Sequence, residues 1–313
     1  GQVRGLDKPV SRLVQGTADL CGEDEAREFA LLDAAFAAGV TALDTAHHYG
    51  DGANERFIGR WLASRGLRER VVLIGKGAHH NAERRRVTPG DISSDLLESL
   101  ERFGADHIDL YLLHRDDERV PVGPIVEVLN EHRAAGRIGA FGGSNWTHAR
   151  VRAANAYAEA HGLTPFAASS PQFSLATQLR PPWTGCISIG GDAAAQGFYR
   201  ETGLALFTWS SLAGGFLSGR FAPDDTPEPM SESERLALAC YGSPENFARL
   251  GRARELAEAR GVTLAQIALA YVLAQPLEIF ALVGARSPEE VAANAEAAEL
   301  ALSAADLNWL ERG

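Results

Sequence analysis

The sequence predicts a (β/α)8 TIM barrel, one domain covering residues 1–313. Eight short apolar runs alternate with amphipathic helical patterns along the whole chain, the pattern of parallel βα units. Neither a long linker nor a low-complexity tract divides them. A chain of 313 residues, 45% of them apolar, also has the length to bury one large core. A doubly wound open sheet would share the alternation, but closure into a barrel is the simplest solution at this length.

The predicted strands are RLVQG (12–16), TALDT (41–45), VVLIG (71–75), HIDLYLLH (107–114), RIGAFGGS (137–144), PFAASS (165–170), LALFTWS (204–210) and IFALVG (279–284). Between the first two, residues 24–38 place Phe29, Leu32, Ala35 and Phe36 at helical spacing. Residues 91–103 do the same with Ile92, Leu96, Leu97 and Leu100, and Asp91 stands where an N-cap would. Gly39, Gly66, Gly104, Gly136 and Gly162 each follow a helical pattern, as C-terminal caps do. Two βα connections are long. Residues 171–200 are irregular enough to promise a partial helix at best. Residues 213–245 carry the acidic, proline-rich PDDTPEPMSESE and read as a cover or a mobile excursion.

The net charge of −11 argues against nucleic acid or an anionic membrane as the main partner, because both select basic surfaces. No apolar run has the length of a membrane span. Cys21, Cys186 and Cys240 are odd in number and far apart, which fits idle thiols in a reducing compartment. The expected setting is cytoplasmic.

In a barrel of this kind the active site forms where the strands end. Those ends carry Thr17, Asp44, His47, His48, Tyr49, Lys76, His79, His80, His114, Arg115, Asp116, Ser144, Asn145, Trp146, Gln172, Trp209, Ser210, Ser211, Gly284 and Arg286. Lys76 stands out because only it and Lys8 are lysines among 30 basic residues. An ammonium is a compact point charge, which a guanidinium is not. Asp44, Tyr49, Lys76 and His114 form a coherent set. A phenol near pKa 10 is a weak acid at neutral pH. A neighbouring ammonium stabilises the phenolate and lowers that pKa, which favours general-acid work. Asp44 would hold that lysine charged, and His114 would orient a carbonyl oxygen. The pairs His47–His48 and His79–His80 also raise a metal site. Adjacent strand residues point to opposite faces, so one of each pair at most faces inward, unlike the alternating ligands such sites use.

Several segments, in order along the whole chain, resemble the aldo-keto reductase family. They are GVTALDTAHHYGDGANERFIGRWL (39–62), VVLIGKGA (71–78), IDLYLLHRDD (108–117), GRIGAFGGSNW (136–146), LFTWSSLAGGFLSGR (206–220) and ALVGARSPEEVAAN (281–294). The resemblance implies a barrel that binds a nicotinamide cofactor without a Rossmann domain, in keeping with the absence of a GxGxxG after an early strand. It implies Tyr49 as general acid, Lys76 and Asp44 as the pair that tunes it, and His114 as the group that positions the carbonyl. It assigns Ser144, Asn145 and Gln172 to the cofactor's carboxamide and Trp209 to stacking on its ring. Ser210, Ser211, Leu212, Gly215, Gly219 and Arg220 would follow the pyrophosphate. Arg286 would face a 2′-phosphate, with Glu290 and Asn294 one and two turns on, and Thr17, Asp44 and Gly284 complete the cofactor set. Ser287-Pro288-Glu289-Glu290 also reads as a capping box, a structural use of Glu290. The expected cofactor is NADPH, with NADH the alternative.

Substrate choice then falls to His48, His79, His80, Arg115, Asp116 and Trp146. Such a pocket suits a polar, hydroxyl-bearing carbonyl compound such as a keto-sugar. Two other readings stay open on sequence alone: a non-catalytic, cofactor-binding regulatory subunit of the same fold, and a histidine-rich metal-dependent hydrolase. The oligomeric state is left open.

Overall fold

The computed structural model describes residues 1–222 and 230–313. Its elements run β1 (Leu13–Gly16), α1 (Glu25–Ala37), β2 (Ala42–Asp44), α2 (Ala53–Arg65), β3 (Val72–Gly77), α3 (Pro89–Phe103), β4 (Ile108–Leu113), α4 (Val122–Ala134), β5 (Ile138–Ser144), α5 (His148–Ala160) and β6 (Ala168–Ser170). They continue through α6 (Ala193–Thr202), β7 (Ala205–Thr208), α7 (Glu232–Tyr241), α8 (Pro244–Arg260), α9 (Leu264–Leu273), β8 (Ile279–Val283), α10 (Pro288–Ala298) and α11 (Ala304–Arg312). The eight strands pair in sequence order, all parallel, and β8 returns to β1 through Val14↔Leu282. The sheet is therefore a closed barrel and not the open alternative. All eight strands fall within the apolar runs of the sequence or extend one of them by a residue or two.

Period two along the strands sorts side chains to the two faces of the sheet. Val14, Ala42, Val72, Ile74, Leu110, Leu112, Ala140, Ala168, Ala205, Phe207 and Phe280 form one buried cluster inside the barrel. Phe207 and Phe280 stack there at 4.9 Å, and Val3 and Val10 of the N-terminal segment join the same cluster. The outer faces carry a second, larger cluster against the helices.

One local expectation is corrected. Thr88, not Asp91, caps α3: its backbone is extended, its hydroxyl accepts from Asp91 N, and Pro89 takes the first helical turn, where a missing N–H costs nothing. Asp91 instead pairs with Arg84 at 2.6 Å. The 213–245 connection is described on either side of residues 223–229. It holds a 3-10 turn at Ala213–Ser218 and then α7, started by a capping box between Ser231 and Glu234. Residues 223–229 of its acidic stretch lie outside the described residues. The 171–200 connection is irregular, as expected, until α6 begins at Ala193. No single helix among the described residues is long and apolar enough to cross a membrane.

Candidate active site

The inner rows of the barrel turn polar at their C-terminal ends. Two residues above Ala42 stands Asp44, above Ile74 Lys76, above Leu112 His114, above Gly142 Ser144, above Ala168 Ser170, and above Phe207 Trp209. Together with Tyr49, Asn145 and Arg115 these line one cavity of about 120 Å³. The apolar interior thus ends where the chemistry-bearing side chains begin.

Lys76 Nζ donates to Asp44 Oδ2 at 2.6 Å, with each side chain 4% exposed. Burial works against both charges, yet Asp44 and Tyr49 together hold Lys76 above its usual pKa, so the ammonium persists. Lys76 Nζ lies 5.3 Å from the centre of the Tyr49 ring. Tyr49 reaches this point because β2 is followed by a tight turn at Tyr49–Gly52. Gly50 and Gly52 hold positive φ (53° and 86°) in this turn, which favours glycine at both, and a Cβ on Gly50 would also sit 2.5 Å from Cys21 Sγ. Burial raises the Tyr49 phenol above its ordinary pKa, and the Lys76 charge offsets that only in part. This corrects the expectation of a net lowering: Tyr49 is held protonated, as a donor.

His114 is held well below the usual imidazole pKa by burial and then by the charges of Lys76 and Arg115. It is neutral near pH 7 and so a poor source of a full proton, which leaves that part to Tyr49. The first histidine pair splits, although both pairs lie beyond the ends of their strands. His47 turns outward to Glu98, 3.0 Å away, while His48 stacks on His79 at 3.9 Å and lies 4.8 Å from His114. His80 stacks on the far side of His79 at 4.2 Å. Among the described residues no three histidine, cysteine or carboxylate side chains are placed to hold a metal ion.

The proposed cofactor residues fall into groups. Ser211 Oγ and Trp209 Nε1 are buried without hydrogen-bond partners among the described residues. A Cβ added to Gly215 or Gly284 would meet nothing within 4 Å. Asn145 and Ser210 hold positive φ (58° and 60°) at the ends of β5 and β7, a strain typical of ligand-binding positions. Arg286 is 82% exposed beside the N-terminus of α10, where cationic side chain and helix dipole both favour an anion. Glu290 turns back on Arg286, accepting from its backbone N at 2.9 Å and its guanidinium at 3.2 Å, and Asn294 lies 3.5 Å from Gly284 O. Unpartnered donors, glycine-lined space and an exposed arginine at a helix start fit a phosphate-bearing dinucleotide.

Other members are committed elsewhere. Asn145 Oδ1 accepts from Ile187 N at 3.1 Å, and Gln172 is held between Ser174 and Ser188. The 186–189 segment therefore occupies the amides assigned to the carboxamide. Arg220 pairs with Glu234 at 2.7 Å. Thr17 spends its backbone N–H and its hydroxyl on the Asp44 carbonyl, so it fastens β2 and stays out of the cavity. Trp146 is 1% exposed and packs on Phe166, away from the cavity, with its Nε1 donating to Arg115 O at 3.2 Å.

Sequence reasoning missed Trp183 and Cys186, which wall the cavity from the long β6–α6 connection. The PPW stretch there was a visible signal of something other than an ordinary turn. It also missed the braces beneath the site. Asn54 Nδ2 bonds Thr17 O and Leu20 O, and the fully buried Glu55 pairs with Arg102, which in turn donates to His47 O.

The profile described as the Aldo/keto reductase family matches residues 12–312. The uncharacterized oxidoreductase YrpG of Bacillus subtilis is 28% identical, over 96% of this chain and 91% of its own. An aldo/keto reductase from Klebsiella pneumoniae, solved in complex with NADP and acetate, superposes with a TM-score of 0.73 at 25% identity, over 97% of this chain and 91% of that one. A glycerol dehydrogenase from Gluconobacter oxydans has a TM-score of 0.81 over 99% and 93% of the two chains. At 23% identity it speaks to the fold alone.

Proposed function

Because this chain belongs to the aldo/keto reductase family, and so to the NAD(P)H-dependent oxidoreductases, we propose that it reduces a polar, hydroxyl-bearing aldehyde or ketone with NADPH. The observation that carries the reading is the buried Lys76–Asp44 pair beside a protonated Tyr49 and a neutral His114, all on one cavity.

When bound, the nicotinamide supplies the hydride. This chain's residues do the rest. His114, as a neutral imidazole, offers a hydrogen bond that fixes the carbonyl oxygen. Tyr49 gives its phenolic proton to that oxygen as negative charge builds there. Lys76 stabilises the phenolate left behind, which makes the proton easiest to give at the moment it is needed. Asp44 keeps Lys76 in place and charged.

Arg286 at the start of α10 supports NADPH over NADH, since a guanidinium suits a 2′-phosphate. The NADP held by the Klebsiella pneumoniae relative points the same way. Arg115 lines the cavity, and His48 and His79 stand 4.8 and 5.0 Å from His114, polar surroundings that support hydroxyl-bearing substrates such as keto-sugars. The test is NADPH consumption with a panel of polyhydroxy carbonyls and alkyl aldehydes of matched length. At least a tenfold higher kcat/KM for the hydroxylated members is expected. Turnover of the alkyl aldehydes alone would refute the polar class, and no turnover of any would refute the reductase.

A further inference from the structure

Among the described residues the charge on Arg115 meets no counter-ion, and the inference drawn from it rests on the reductase reading above. Arg115 follows His114 and is 8% exposed. Its Nη1 donates to the His114 carbonyl at 2.9 Å. Its Nε is buried with no partner among the described residues, and its backbone is pinned by Trp146. A buried guanidinium is costly unless an opposite charge meets it. The nearby acids are already taken: Asp116 by Arg150 at 3.0 Å, Asp117 by Arg119 at 2.7 Å, and Asp44 by Lys76.

The remaining neighbours bring no negative charge either. Burial holds the Cys186 thiol and the Tyr49 phenol protonated, and the imidazoles around them are neutral. Since Asp44 cancels Lys76, the described residues of the cavity keep one surplus positive charge, on a side chain lining the same space as Tyr49 and His114. With Nη1 occupied, the Nε–Nη2 edge is a planar two-donor fork. That fork matches one carboxylate, whereas a phosphate would ask for more donors than a single edge supplies.

We infer that the carbonyl substrate carries a carboxylate, which Arg115 binds while Tyr49 protonates the carbonyl oxygen. The class is then an aldehydo- or keto-acid, sugar acids included. Arg115 acts as the selectivity residue: a neutral analogue leaves its fork unpaired in the complex.

The experiment compares 4-oxobutanoate and 4-carboxybenzaldehyde, each against its own methyl ester, with NADPH and the native chain. The acid is expected to exceed the ester at least tenfold in kcat/KM for one pair or both. In Arg115→Gln that ratio should fall to about one. If that variant does not fold, succinate should compete with the aldehyde in the native chain where succinamide does not. Equal kcat/KM for acids and esters overturns the inference and leaves the reductase standing, as does a ratio that survives Arg115→Gln. A preference for glyceraldehyde 3-phosphate over glyceraldehyde, with none for the carboxylates, also overturns it. No reduction of any compound overturns the inference together with the reductase reading.

Discussion

Lys76 Nζ and Asp44 Oδ2 stand 2.6 Å apart at the mouth of the barrel, each 4% exposed, and Asp44 Oδ1 has no other partner among the described residues. The pair is a matched unit, since either charge alone would be stranded. Lys76→Met should therefore destabilise the fold by about 3–5 kcal/mol, the usual cost of leaving one member of a buried pair. Adding Asp44→Asn should recover a good part of that loss without restoring turnover. Denaturant unfolding of the single and double variants, with kcat on each, checks both halves.

Acid should weaken the fold through the histidine stack. Burial and then neighbouring charges push His48 down to about 3, and burial pushes His79 down to about 4. An unfolded histidine titrates near about 6.5. Between those values the unfolded chain binds more protons, so stability present at pH 7 is lost as pH falls toward 4. Chemical unfolding across that window should show the loss, and His48→Gln/His79→Gln should flatten it. Equal slopes in the two proteins would contradict the assignment.

Catalysis in the two directions should depend oppositely on the Tyr49 proton. Reduction needs the protonated phenol, which burial preserves above its ordinary pKa, so its rate should stay level from about pH 6 to 9. Alcohol oxidation needs the phenolate and should still be rising near pH 10. Because Lys76 offsets part of the burial effect, Lys76→Met should move the oxidation curve to higher pH. Steady-state pH profiles in both directions measure this.

Cofactor choice should follow the Arg286–Glu290 contact. Glu290 accepts from the Arg286 backbone N at 2.9 Å and from its guanidinium at 3.2 Å, which sets a carboxylate beside any phosphate that Arg286 meets. Arg286→Ala should weaken NADPH binding about tenfold, with a smaller effect on NADH, since a charge-assisted phosphate contact is worth about 1.5–3 kcal/mol. Glu290→Gln should tighten NADPH binding. Fluorescence titration with each nucleotide gives both results.

Much of this was legible in the sequence because it follows from periodicity. Strands of period two, each ending in a polar residue, made Asp44, Lys76, His114 and Ser144 visible as one rim before their contacts were known. Adjacency limited each histidine pair to one inward member without saying which. Where the reading failed, long-range contacts decided. Thr17 belongs to the Asp44 carbonyl and Trp146 to the packing behind Arg115, and neither neighbour is close in sequence. Trp183 and Cys186 enter the cavity from an irregular connection whose path no local pattern fixes. The direction of the Tyr49 shift could not be read either, since it is a balance between burial and the Lys76 charge that only the three-dimensional packing sets.

Tyr49→Phe tests the central claim most directly, because it removes one hydroxyl and keeps the ring beside Lys76. With NADPH and a carbonyl compound the native chain turns over, kcat should fall by about 10²–10⁴, the range of a positioned general acid. NADPH fluorescence quenching should persist in the same variant. A Tyr49→Phe protein that keeps native kcat would contradict the account, since the proton would then come from a group other than the phenol at this site.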